Sequence, residues 1–193
     1  MPKFSESEKK RIEQCLLEEG TRLFTIHGLK KVTIDDIVNA VNIAKASFYK
    51  FYEGKEYLFL DIVEKQQKEI FNTLSEIIQE SKSKTDKEKI KEIFMVMSVL
   101  MKKYPLLSAI NEETVEIITR KVSPDRLAAF NSQGFDAVKA LEENGMQFKY
   151  DTQVVSKLFQ TLYQSWISLQ GQTVSMQEQV INIMLDGIID KII

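Results

Sequence analysis

Thr33 and Asp36 stand three residues apart at the head of a short apolar stripe, the spacing of a reciprocal capping box. Val32 and Ile37 occupy the positions that staple the chain's entry into such a helix, and Ile34, Ile37, Val38 and Val41 repeat at the i, i+3, i+4, i+7 interval of one buried face. Asn42 then supplies a residue that tolerates positive φ, so the helix is predicted to end in a left-handed turn. A second helix is predicted over Lys45 to Tyr52 in a different register. Phe48 and Tyr52, four apart, point inward, and Lys45, Ser47, Tyr49 and Lys50 point largely outward. A chain built this way over residues 33–55 has little freedom. It makes two short helices at an angle, with the second displayed.

The displayed residue types suggest chemistry. An outward Tyr beside Lys and Ser on a short helix offers phosphate contacts, base-edge hydrogen bonds and an apolar surface for a thymine methyl. Many helix pairs of this shape bind no nucleic acid, and the exposed aromatics set this one apart, since a solvated helix face has little need of Tyr49 and Phe51.

The stretch resembles the DNA-binding segment of the tetracycline-repressor (TetR) family of bacterial transcription regulators. The likeness is carried by Thr33, Asp36, Ile37, Ala40, Lys45, Ser47, Phe48, Tyr49 and Tyr52, followed by Gly54, Lys55, Glu56 and Leu58. Upstream, Ile12, Leu16, Phe24, Gly28 and Leu29 fit the family's first helix and the glycine turn after it, so the resemblance covers about residues 8–62. It implies an all-α chain with an N-terminal three-helix helix-turn-helix domain over 1–54 and a larger helical effector-binding and dimerisation domain over 55–193. It further implies a sequence-specific transcriptional regulator, a repressor released from a palindromic operator by a small hydrophobic effector. The DNA-contacting residues carried over are Thr33, Lys45, Ala46, Ser47, Tyr49, Lys50, Phe51 and Lys55. Three positions depart from the family pattern: Asn42 stands where glycine is usual, Ala44 where serine is common, and Phe51 where a histidine commonly meets a phosphate.

Charge agrees weakly. The whole chain carries −2, distributed as +2 over residues 1–55 and −4 over the remainder, a mildly basic head on an acidic body. With 3 Pro, 7 Gly and 44% hydrophobic residues, the chain is a packed helical globule rather than a disordered one. Its one Cys, Cys15, rules out an intrachain disulfide, and one His with one Cys rules out the common zinc sets and the usual nucleophile–base pairs. No cofactor, no metal and no catalytic centre are expected. The absence of a basic-then-apolar leader or of a run near 18 apolar residues predicts a cytoplasmic protein with no membrane partner.

Helix starts are marked along the chain by Ser5 with Glu8, Thr85 with Glu88, Ser175 with Glu178, Ser123 before Pro124, and Asp151. A first helix from Glu6 to His27 and a long one from Lys55 to Glu80 are expected, then helices over 86–103, 106–121, 124–143, 152–170 and 176–192. Asn144-Gly145 reads as a helix end. The last two helices carry the widest apolar stripes and fit the family's homodimer interface, where Gly187 would allow a close approach. Phe94, Met97, Met101, Tyr104, Phe130, Phe159, Tyr163 and Trp166 recur at helical spacing. Each suits a core position, and together they could line an adaptable apolar pocket for an aromatic or acyl effector, with Arg120 and Arg126 as candidates for an anionic group. The rival reading is a helical small-molecule binding or sequestering protein without DNA affinity.

Overall fold

The computed structural model describes residues 5–80, 83–132, 137–169 and 171–193. Eleven helices, and no strand, make up these residues: α1 Glu6–Lys31, α2 Ile34–Val41, α3 Lys45–Phe48, α4 Lys55–Glu80, α5 Asp86–Lys103, α6 Pro105–Ser108, α7 Glu112–Lys121, α8 Pro124–Ser132, α9 Ala137–Glu143, α10 Thr152–Ser168 and α11 Val174–Ile192. No helix among the described residues is long and apolar enough to cross a membrane.

The chain divides into two compact units. The first comprises residues 5–68 and 104–132, the second residues 69–103 and 137–193. The division therefore falls inside α4, not at residue 54 as the sequence suggests. The first half of α4 buries Leu58, Phe59, Leu60, Ile62 and Val63 in the same cluster as the N-terminal helices, and Leu106, Ile118 and Val122 return to join them.

In the first unit, α1 opens on a complete capping box, Ser5 with Glu8. It bends at Gly28, whose φ of 76° places it in the left-handed region that glycine enters without a Cβ penalty. Gly20 allows α1 to approach α4: a Cβ there would lie 3.0 Å from both Ile62 Cδ1 and Leu58 Cδ2. Phe24 and Phe59 meet edge to face at 5.3 Å in this core.

The second unit buries Leu74, Ile90, Phe94, Leu162, Ile181, Leu185 and Ile189 along the facing stripes of its helices. Ion pairs join α5 to α11: Lys87 lies 2.7 Å from Asp190 and Lys91 lies 2.6 Å from Asp186.

Several element boundaries differ from the sequence reading. The stretch expected as one helix over 106–121 is two, because Asn111 turns out of the helix and caps α7 by accepting from the Thr114 N–H at 2.9 Å. The last helix begins at Val174, with Thr173 and not Ser175 as its cap. The 124–143 helix is described as α8 and α9, with residues 133–136 outside the described residues, as are 81–82 of the connector and residue 170.

Candidate nucleic-acid interface

The α2–α3 turn is built from backbone upward. The Thr33 N–H and hydroxyl both donate to Asp36 Oδ2, at 2.8 and 2.7 Å, and the Asp36 N–H returns a bond to Thr33 Oγ1 at 3.2 Å. These hydrogen bonds from Thr33 hold the Asp36 carboxyl below the ordinary carboxylate range. At the other end Asn42 adopts φ 58°, ψ 49°, the one left-handed non-glycine residue among those described. The Ile43 N–H donates to Val38 O at 3.0 Å and the Asn42 N–H to Asn39 O at 3.2 Å, the paired bonds of a Schellman closure. Asparagine thus makes the turn for which glycine is the usual choice.

Regular α3 is shorter than the sequence suggests, ending at Phe48 rather than Tyr52. The chain continues as a tight hydrogen-bonded turn in which the Phe51 and Tyr52 N–H groups both donate to Phe48 O, at 2.9 and 3.1 Å. Ala44 offers no side-chain cap. Phe48 is fully buried and Tyr52 nearly so, their rings 5.9 Å apart. Burial, with Asp61 and Glu13 nearby, pushes the Tyr52 hydroxyl pKa up.

Anchored by those two rings, the segment presents Lys45, Ala46, Tyr49 and Lys50 to solvent, with Tyr49 53% exposed and Ser47 half-buried. The other three sequence candidates sit differently. Phe51 is half-buried against the core cluster, so its ring closes the head instead of facing outward. Thr33 is exposed, but both of its donors are turned onto Asp36. Lys55 is turned inward. Its ammonium donates to Leu29 O at 2.7 Å, to Lys30 O at 3.3 Å and to Val32 O, neutralising carbonyls left unpaired where α1 ends. Burial pushes its pKa down, with Glu56 and Asp36 opposing. This corrects the sequence reading of Lys55 as a cation offered to a phosphate.

Two features went unread in the sequence. Lys45 Nζ is 2.9 Å from Asp35 Oδ2, across the turn, and this bond raises the Lys45 pKa. Arg126, expected near an effector, belongs to the first unit and spans Glu64 and Asp61, with Nη1 2.6 Å from Glu64 Oε1 and Nη2 2.8 Å from Asp61 Oδ1. Neither pairing has a local signal, since the partners lie 10, 62 and 65 residues apart.

The second unit holds a pocket of about 280 Å³, partly open to solvent. It gathers five of the eight apolar candidates, Phe94, Met97 and Met101 from α5 with Phe159 and Tyr163 from α10, and adds Ile90, Ile93, Val138, Leu141, Ser156 and Gln160. The other three lie elsewhere. Tyr104 and Phe130 belong to the first unit, where Phe130 packs on the core cluster, and the buried Trp166 stacks on Tyr163 at 5.9 Å with Lys102 Nζ 5.2 Å from its ring centre. Helical spacing identified all eight as inward-facing, but which of two cores each faces depends on long-range packing. Arg120 also lies in the first unit. Among the described residues no three His, Cys, Asp or Glu side chains are grouped to hold a metal ion.

A capped helix, a Schellman turn and a short displayed helix on a three-helix core define a helix-turn-helix protein. Residues 16–62 match the model of the bacterial regulatory proteins of the tetR family. The chain is 29% identical over 119 residues to an uncharacterized HTH-type transcriptional regulator, YhgD, of Bacillus subtilis (strain 168), a match covering 57% of this chain and 56% of the relative. It is 32% identical over 80 residues to the probable acrEF/envCD operon repressor of Escherichia coli (strain K12), covering 42% of this chain and 34% of that protein. These matches thus span about half and a third of the relatives' lengths. In fold it is similar to a TetR/AcrR-family regulator from Thermobifida fusca YX-ER1, with TM-score 0.65, 17% identity, and coverage of 93% of this chain and 98% of the other. The ketosteroid transcriptional regulator KstR2 of Mycobacterium tuberculosis is similar at TM-score 0.60 and 19% identity, covering 91% and 93%. At such identities the likeness to the solved structures is one of fold.

Proposed function

We propose that this chain is a homodimeric, sequence-specific DNA-binding transcriptional repressor, released from a palindromic operator by a small apolar effector. The observation that carries the reading is the division of labour within one short segment. Phe48 and Tyr52 fasten it to the core while Lys45, Ala46 and Tyr49 stand in solvent. Two such segments, related by a two-fold axis, enter successive major grooves about 34–36 Å apart. Lys45, Ser47 and Tyr49 meet bases or the adjacent phosphates, and Lys50 fixes the backbone register.

The two-fold mate is proposed to dock on α10 and α11. Ile183 is 73% exposed and shares an outward stripe with Met176, Val180 and Gly187, and a Cβ at Gly187 would meet nothing within 4 Å. An apolar stripe with a small residue in it suits close packing against a copy of itself. The cavity in the second unit is proposed as the effector site, lined by adaptable methionines and aromatics. Coupling on the order of 1–3 kcal/mol between the effector and DNA sites suffices for release. The helix that carries it is α4, whose residues are divided between the two units.

Tyr49→Ala tests the reading: operator affinity in a mobility-shift titration is expected to fall sharply while the dimer mass stays unchanged. Full affinity would remove Tyr49 from the interface. Small-molecule binding without any salt-dependent affinity for duplex DNA would point instead to a sequestering protein.

A further inference from the structure

The start of α2 is unusual for a surface that meets phosphates. A helix N-terminus ordinarily attracts anions, yet here the first turn carries two carboxylates. Asp36 is consumed by the capping box. Asp35 is not. Its side chain is 63% exposed, and its Oδ2 reaches across the turn to Lys45 Nζ at 2.9 Å, where the lysine side chain is itself 50% exposed. An exposed pair of this kind contributes little to folding stability. It joins the helix ahead of the turn to the first residue of the displayed helix, so its consequence is to be sought at the DNA surface.

Resting on the DNA-binding reading above, we propose that Asp35 is a specificity-determining residue, holding the Lys45 ammonium in one place and withholding its charge from phosphates at large. Two physical arguments support this. An ammonium paired with a carboxylate has little net charge to neutralise a phosphate, so it releases few counterions, whereas an unpaired lysine contributes about 0.9 to the slope of log affinity against log salt. A lysine is a point charge on a flexible four-carbon stem, and tethering it to Asp35 restricts the positions its donors sample. Asp35 lowers affinity for DNA in general more than for the operator, and it does so through Lys45. Asp35 is a positioning residue, and Lys45 is the residue that touches DNA.

The test uses the intact chain in four forms: native, Asp35→Asn, Lys45→Ala and the double variant. Each is titrated, from about 50 to about 200 mM salt, against a duplex that the native protein selects from a random-sequence pool and against a scrambled duplex of the same composition. Asparagine keeps the size of the side chain and suits the first turn of a helix, and thermal melting checks that the fold is retained. Asp35→Asn is expected to bind the scrambled duplex roughly threefold or more tighter at low salt, with a slope steeper by about 0.9, while the preference for the selected duplex falls. In the Lys45→Ala background, Asp35→Asn is expected to change none of these. An Asp35→Asn protein with native slope and native preference overturns the proposal and leaves the DNA-binding reading standing, as does an effect of equal size when Lys45 is absent. A native protein that selects no duplex and shows no salt-dependent affinity overturns both.

Discussion

Arg126 grips Glu64 with both prongs of its guanidinium, Nη1 to Oε1 at 2.6 Å and Nη2 to Oε2 at 2.8 Å, while Nη2 also reaches Asp61 Oδ1 at 2.8 Å. This fork ties α8 to the first half of α4. Beside it the Ser123 N–H, at the start of the same helix, donates to the Tyr57 hydroxyl at 3.1 Å. The arginine and Glu64 side chains are each only 21% exposed, so the pair lies well away from bulk solvent screening. The hydrogen bond with Glu64, ahead of that with Asp61, pushes the Arg126 pKa above its ordinary value. The pairing is bidentate, the arrangement that distinguishes arginine from lysine.

Arg126→Ala is therefore expected to lower unfolding free energy by about 2 kcal/mol, since it leaves two carboxylates side by side without their cation. Arg126→Lys should restore only part of the loss. Urea titrations at neutral pH measure both, and identical midpoints for the native and alanine proteins would show that the fork contributes nothing to stability.

Lys50 and Lys55 should separate cleanly. Lys55→Ala is expected to cost about 1–3 kcal/mol of stability, because the carbonyls of Leu29, Lys30 and Val32 lose a charge-assisted donor. The salt slope of DNA binding should stay as in the native protein. Lys50→Ala should instead make that slope shallower by about 0.9. A shallower slope for Lys55→Ala would mean that its ammonium leaves the carbonyls when DNA binds.

The turn at Asn42 can be tested by shape alone. Its φ of 58° is one that glycine adopts freely and a β-branched residue resists, so Asn42→Gly should melt close to the native protein. Asn42→Val should lose about 1–2 kcal/mol. Equal melting of the two variants would show that this part of the chain relaxes into a right-handed turn.

Acid should loosen the helix starts together. Hydrogen bonds from the Ser5 backbone and hydroxyl lower the Glu8 pKa, and those from the hydroxyl and backbone of Thr33 and Thr85 lower Asp36 and Glu88. Each of these carboxyls holds its proton less tightly folded than unfolded, so unfolding takes up protons in acid. The stabilisation is whole above the ordinary carboxylate range and drains away as pH falls through the lowered folded values. Urea midpoints measured from neutral pH down to the acid limb should decline there, and Thr33→Ala should show a shallower decline. A parallel decline would mean that the Thr33 box adds nothing to it.

Signals confined to one helical turn are legible in the sequence itself. Capping is a matter of residues within one turn of each other, so Ser5 with Glu8, Thr33 with Asp36 and Thr85 with Glu88 announce their helices wherever the chain goes afterwards. The span of α4, from Lys55 to Glu80, and the left-handed Asn42 were legible for the same reason. Where two local signals competed, the reading failed. Ser175 with Glu178 had the better pattern, but the chain turns at Gly171, with φ 100°, and Thr173 caps the helix by accepting from the Met176 N–H.

Sequence alone determined an all-helical chain, the helix-turn-helix and its outward tyrosine, because periodicity and capping act over a few residues and need no distant partner. Tertiary structure decided that Lys55 faces inward, that Arg126 clamps α4, that Asp35 holds Lys45, and that Phe130 serves a different core from Phe94 and Phe159. Hydrophobic burial has no direction and says only that a side chain goes inside. A charged group, by contrast, is committed by whichever opposite charge or carbonyl folding brings within about 3 Å, and that partner can stand anywhere along the chain.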